Sequence, residues 1–170
     1  MKIAAAAEGL ARALAVLGGL ALVAVTGLTV VSIVGRAFTR QGLGPIPGDF
    51  ELVEALTAFA VFSFLPWCQL RRGHAHVDVF TRALPQRVNR AIDLGAELLM
   101  TLVVVLIAWR LWYGMADKLR HHETTFILQF PLWWSFAAAF AAAAAGVVVS
   151  LYVVALRVGE LLAADAGDAS

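Results

Sequence analysis

Four long apolar runs, separated by short polar stretches, set the pattern of this chain. The first extends from Ala13 to Gly35, with no charge between Arg12 and Arg36. The second covers about Leu52 to Leu70 and is closed by Arg71-Arg72; the third covers about Ile92 to Tyr113. The fourth covers about Pro131 to Leu156 and is closed by Arg157. A helix that crosses a bilayer needs about 20 mostly apolar residues, so the pattern predicts an all-α membrane protein. One domain over residues 1–170 would hold four transmembrane helices, at about 13–35, 52–70, 92–113 and 131–156. The first run is longer than the apolar core of a secretory signal, which is about 7–15 residues, and is read as a retained helix. Between the second and third runs, Val77, Phe80, Ala83 and Leu84 fall near one helical stripe, with Asp78, Arg82, Gln86 and Arg87 mostly elsewhere and Pro85 interrupting. That arrangement predicts a short interfacial segment on the membrane surface, with arginines suited to anionic lipid.

Composition agrees. Of 170 residues, 61% are hydrophobic and 15% charged, and the mean hydropathy is +0.82. Soluble domains carry about 45–50% apolar and about 25% charged residues. The net charge of +1 gives no reason to expect a nucleic-acid partner. Cys68 is the one cysteine, which excludes an intrachain disulfide and a cysteine-based zinc site; in an apolar run it is a small hydrophobe.

Charge bias predicts direction. With the N-terminus inside, the inner flanks hold eight cations: Lys2, Arg12, Arg71, Arg72, Arg82, Arg87, Arg90 and Arg157. The outer flanks hold five: Arg36, Arg40, Arg110, Lys118 and Arg120. Under the positive-inside rule both termini are cytoplasmic. Trp109, Trp112 and Tyr113 end the third span, and Trp133 and Trp134 open the fourth on the same side, as interfacial aromatic belts do. Pro131 suits a helix start, and Pro66 is expected to bend the last turn of the second helix.

Catalytic chemistry is not visible. His74 and His76 lie on one side of the third span and His121 and His122 on the other. A span of about 22 residues separates the pairs by roughly 33 Å, so one chain cannot gather the four histidines around a metal. No span contains a histidine to ligate haem between helices. There is no Ser/His/Asp set and no phosphate loop, and no residue is assigned a catalytic, cofactor or metal role. Deep charges are few: Glu54 and Arg110 lie near span ends, while Glu97 lies inside the third span. Glu97 is read as an intramembrane tie, to Arg71, Arg72 or His74, rather than as a substrate site. His74 and Asp78 are read as organising the cytoplasmic turn, with Asp78 accepting backbone N–H bonds at a helix start. Ala138, Ala142, Gly146 and Ser150 recur every four residues. Small residues at that spacing let helices approach closely, so the row is read as a contact with a partner helix. Ala11, Ala15, Gly19, Gly27 and Gly35 form a similar row in the first span.

The run Gly73-His74-Ala75-His76-Val77-Asp78-Val79-Phe80 resembles a motif of the small membrane subunit of tripartite ATP-independent periplasmic (TRAP) transporters, the DctQ-type family. That family shows Gly-His-[Ile/Val]-x-Val-Asp after its second helix; here Ala75 stands where Ile or Val is usual. The acidic start of the second helix, Gly48-Asp49-Phe50-Glu51-Leu52-Val53-Glu54, is similar to the family's. So is the approach to the fourth helix, Glu123-Thr124-Thr125-Phe126-Ile127-Leu128-Gln129-Phe130-Pro131-Leu132-Trp133-Trp134. The likeness covers about residues 13 to 157.

The resemblance implies a multi-pass subunit of the bacterial inner membrane, not an enzyme, without a cofactor of its own. It implies a large permease partner that binds substrate and sodium and moves as an elevator, and a periplasmic protein that delivers an organic acid such as a dicarboxylate. The small subunit would brace the large one. The outer-loop charges Arg36, Arg40, Asp49, Lys118, Arg120 and Glu123 would help dock the periplasmic protein; the remaining contact is with membrane lipid. Two other functions compete: a membrane anchor of a redox complex, which lacks its in-span ligands here, and a small oligomeric exporter or channel, which lacks a polar stripe.

Overall fold

The computed structural model describes residues 2–71 and 86–167. It contains four helices: α1 (Lys2–Ala37), α2 (Asp49–Leu70), α3 (Gln86–Arg120) and α4 (Trp133–Gly167). One turn of 3-10 helix, Thr39–Gln41, follows α1. Among the described residues there is no strand, only an isolated antiparallel bridge between Thr124 and Pro131. All four helices contain a segment long and apolar enough to cross a membrane: Ala4–Ala37, Asp49–Leu70, Ala91–Arg120 and Trp133–Gly159. The Gly73, His74, Val77 and Asp78 motif, and the interfacial segment expected after it, lie outside the described residues.

The helices run further than the apolar runs. α1 has 36 residues and α3 and α4 have 35 each, or roughly 53 Å at 1.5 Å per residue. The hydrocarbon core is about 30 Å thick, so charged turns extend these helices beyond it. α2 has 22 residues and continues through Pro66 for another turn.

The chain runs up and down. The α1–α2 and α3–α4 connections share one end, here called the loop end, and α1 and α4 carry the two chain termini at the other. α2 packs on α1 and α4, α3 packs on α4, and α1 also reaches α4. No close backbone approach joins α2 to α3 among the described residues. α2 and α4 therefore form a central parallel pair, with α1 and α3 alongside.

Small residues set the close approaches. Gly18 of α1 faces Ala60 and Ser63 of α2, both fully buried. A Cβ on Gly18 would lie 3.0 Å from Ser63 Cβ and 3.2 Å from the Ala60 carbonyl oxygen. Gly114 of α3 meets the Phe136 ring of α4, and Trp112 stacks at a tilt on Phe140 with centroids 5.4 Å apart.

The row on α4 corrects the sequence reading. Ala142, Gly146 and Ser150 are buried inside this chain, and only Ala138 is exposed. A Cβ on Gly146 would lie 3.7 Å from both Pro66 Cγ of α2 and Val104 Cγ1 of α3. The three inner positions seat α4 against its own neighbours, so a partner helix cannot use them without unpacking the subunit. Open apolar surface lies at other positions, among them Leu20, Val23 and Val31 of α1, Leu99 and Leu102 of α3, and Val148 and Leu151 of α4.

Candidate functional site

The loop end is built around the first turn of α2. Gly48 precedes it in the left-handed region, with φ 75°. Asp49 and Glu51 then place two carboxylates where the helix N-terminus favours negative charge. Asp49 turns towards α1: it accepts a hydrogen bond from the Ser32 hydroxyl and lies 3.6 Å from the Arg36 guanidinium. Its other oxygen accepts the Phe50 amide at 2.8 Å. α1 is thus fastened to the start of α2 beyond the short loop that joins them.

Glu51 turns the other way. Its two oxygens accept the backbone N–H groups of Ile127 and Leu128, at 2.6 and 2.9 Å. Those amides belong to the turn of a small hairpin between α3 and α4. The Thr125 amide donates to the Phe130 carbonyl at 3.0 Å, and the Leu132 amide to the Glu123 carbonyl at 2.9 Å. Gln129, with φ 55°, closes the tip: its amide donates to the Phe126 carbonyl at 2.8 Å and accepts from the Thr124 hydroxyl at 3.0 Å. The Leu128 side chain covers Gly48 so closely that a Cβ there has no room. At the hairpin base, the Lys118 ammonium donates to both Glu123 oxygens, at 2.9 and 2.7 Å.

The clamp holds the hairpin but leaves its apex uncovered. Phe126 is 91% exposed and Ile127 55%. The exposed phenylalanine thus stands next to two backbone amides pinned by charge-assisted hydrogen bonds.

The expected docking charges divide into two groups. Arg36, Asp49, Lys118 and Glu123 bond within the chain, whereas Arg40 and Arg120 are exposed and have no ionic partner among the described residues. Asp117, His121 and Glu123 bring possible metal-ligand atoms within 4.8 Å of one another. Lys118 already occupies Glu123, so a divalent cation there would meet an ammonium.

At the opposite end, α3 turns acidic residues inward. Glu97 is 9% exposed and accepts a hydrogen bond from Gln69 of α2, itself 1% exposed. Of the expected partners, Arg71 pairs with Glu8 of α1 at 2.6 Å and lies over the Trp67 ring at 4.7 Å, while Arg72 and His74 lie outside the described residues. Arg157 of α4 meets Asp93 at 3.2 Å. Sequence reasoning missed Gln69 because it sought a charge for Glu97. It missed Glu51 because the partners of its carboxylate are backbone amides 76 and 77 residues away.

A search of curated proteins gave no significant match. A family model described as "Tripartite ATP-independent periplasmic transporters, DctQ component" matches residues 25–160, from within α1 to the later turns of α4. With that match spanning most of a four-helix membrane chain, the protein belongs to the DctQ component family of tripartite ATP-independent periplasmic transporters.

Proposed function

We propose that this chain is the non-catalytic small permease subunit of a TRAP-type transporter in the bacterial inner membrane. Both termini are cytoplasmic in this reading and the loop end is periplasmic. The subunit braces a large elevator-type permease subunit, which holds the sodium and the substrate, and the assembly takes up an organic acid by sodium symport. The loop end helps to dock the periplasmic substrate-binding protein. The observation that carries the docking role is the clamped hairpin: Glu51 fixes the backbone at Ile127 and Leu128 while Phe126 projects. Arg40 and Arg120 remain free to steer an acidic partner, and rim charges of this kind mainly set encounter rate and salt dependence.

Reconstituted vesicles test the reading. Uptake should require the large subunit, this chain, the binding protein and a sodium gradient together; uptake by this chain alone refutes the bracing role. Phe126→Ala should raise the binding-protein concentration needed for half-maximal uptake, and an unchanged concentration dependence removes the hairpin from the docking surface. Single cysteines at Gly44 and Thr81, in a Cys68→Ser background, should label from opposite faces of the membrane.

A further inference from the structure

The loop end also contains an apolar groove. Because α2 and α3 do not approach each other closely, α4 forms a floor between them. A cavity of about 470 Å³ opens there, lined among others by Glu54, Ala58 and Phe62 of α2, Leu111 of α3 and Phe136 of α4. A second hollow of about 360 Å³, lined by Ile107 and Arg110, adjoins it through the shared Leu111. The combined lining is mostly apolar, which disfavours water. The first volume alone lies in the range that holds a small-molecule ligand, about 300–1,000 Å³.

Three charged side chains line the two hollows, and Glu51 is held by the hairpin amides. Glu54 and Arg110 are both exposed, and neither has a hydrogen-bond or ion-pair partner among the described residues. Glu54 is five residues into α2, roughly 8 Å from its start. Arg110 is next to Trp109 and one turn from Tyr113, whose rings meet edge-to-face at 5.3 Å. Such aromatic residues sit at headgroup depth. A carboxylate in one apolar hollow and a guanidinium in the hollow beside it, with Leu111 common to both, complement a headgroup that carries an ammonium and a phosphate.

We propose that this groove is a binding site for one aminophospholipid from the leaflet at the loop end. An acyl chain lies along Ala58, Phe62 and Phe136, Glu54 accepts the primary ammonium, and Arg110 donates to the phosphate. Guanidinium suits phosphate because its planar fork of N–H donors matches the oxygens. A primary ammonium has three N–H donors for the carboxylate; a quaternary ammonium has none, so phosphatidylcholine is discriminated against. Thr125, Phe126 and Leu132 of the hairpin segment also line the cavity, so the two readings share residues, but lipid retention and binding-protein dependence are read separately.

The test is native mass spectrometry of the full chain after incubation with vesicles of equal phosphatidylethanolamine, phosphatidylcholine and phosphatidylglycerol. One phosphatidylethanolamine per chain should be retained, enriched about fivefold or more over phosphatidylcholine, the ratio that one net hydrogen bond gives. Glu54→Gln should bring that ratio to near parity, and Arg110→Gln should lower retention of all three lipids. Ala58→Trp should empty the groove with both charges in place, with circular dichroism confirming that each variant is helical. In native membranes, a photoreactive phenylalanine at position 62 should form an adduct with phospholipid. Equal retention of ethanolamine and choline lipids by the unaltered chain overturns the proposal. So does a preference that survives Glu54→Gln in a folded variant, or a position-62 adduct with a second polypeptide in place of lipid.

Discussion

Adjacent glycines of α1 give a sharp test of how the helices are held. Gly18 and Gly19 share a helix and lie at nearly the same depth, but their surroundings differ. A Cβ on Gly19 meets nothing within 4 Å, whereas one on Gly18 meets Ser63 Cβ at 3.0 Å and the Ala60 carbonyl oxygen at 3.2 Å. Replacing either with alanine removes the conformational freedom of glycine, which favours the helix by about 1 kcal/mol. For Gly19→Ala that gain stands alone, so stability should rise by about 1 kcal/mol. For Gly18→Ala it is set against overpacking of about 1–3 kcal/mol. Backbone at Ala60 cannot swing aside as a side chain can, so the clash should prevail, leaving a net loss of up to about 2 kcal/mol. Unfolding in mixed micelles, followed by helicity, reads both variants. A Ser63→Gly change removes the nearer obstacle, so in a double-mutant cycle it should recover part of the Gly18→Ala loss. Equal effects from the two alanines, or no coupling to Ser63, would refute the close α1–α2 contact.

Three further outcomes follow from the packing and the clamp. Gly146→Ala should be tolerated, because its Cβ would sit at an ordinary 3.7 Å from Pro66 and Val104; Gly146→Leu should cost about 1–3 kcal/mol by overpacking, and equal unfolding midpoints would refute that. Gln69→Ala should destabilise the bundle by about 1–3 kcal/mol by leaving buried Glu97 without this donor, and a Glu97→Leu background should abolish most of that loss in the same unfolding assay. Glu51→Gln should speed amide hydrogen exchange at Ile127 and Leu128 while leaving the core of α2 protected; unchanged exchange at those amides would show that the clamp does not hold the hairpin.

The four spans were legible because an apolar run long enough to cross a bilayer is a local property, present in Ala13–Gly35 as plainly as in Pro131–Leu156. Helix ends were less so. Hydropathy marks where lipid stops, and α1, α3 and α4 continue beyond it through residues such as Glu8, Lys118 and Arg157. The small-residue row on α4 signalled close packing, but spacing alone does not distinguish a helix of the same chain from a helix of a partner. The loop end was legible in its pieces: the acidic start of α2 and the segment before α4 both stood out. Their contact did not, because a carboxylate bonded to main-chain N–H groups leaves no complementary side chain to find. Glu97 stood out as a buried acid, but its donor Gln69 did not, because an uncharged amide offers no charge to match.

The place of α4 also bears on the order in which the protein is made. Among the described residues it alone has a close main-chain approach to each of the other three helices, and it is the last of the four to leave the ribosome. α1 and α2 can pair as soon as both are inserted, through Gly18, Ala60 and Ser63. α3 then meets α2 through the Gln69–Glu97 hydrogen bond, but its Asp93 still lacks a cation. Only the final helix brings Arg157 to Asp93 and closes the bundle. A nascent chain stalled before Trp133 would therefore leave Asp93 unpaired and the α2–α3 contact without its floor, a form that membrane quality control is suited to detect and degrade.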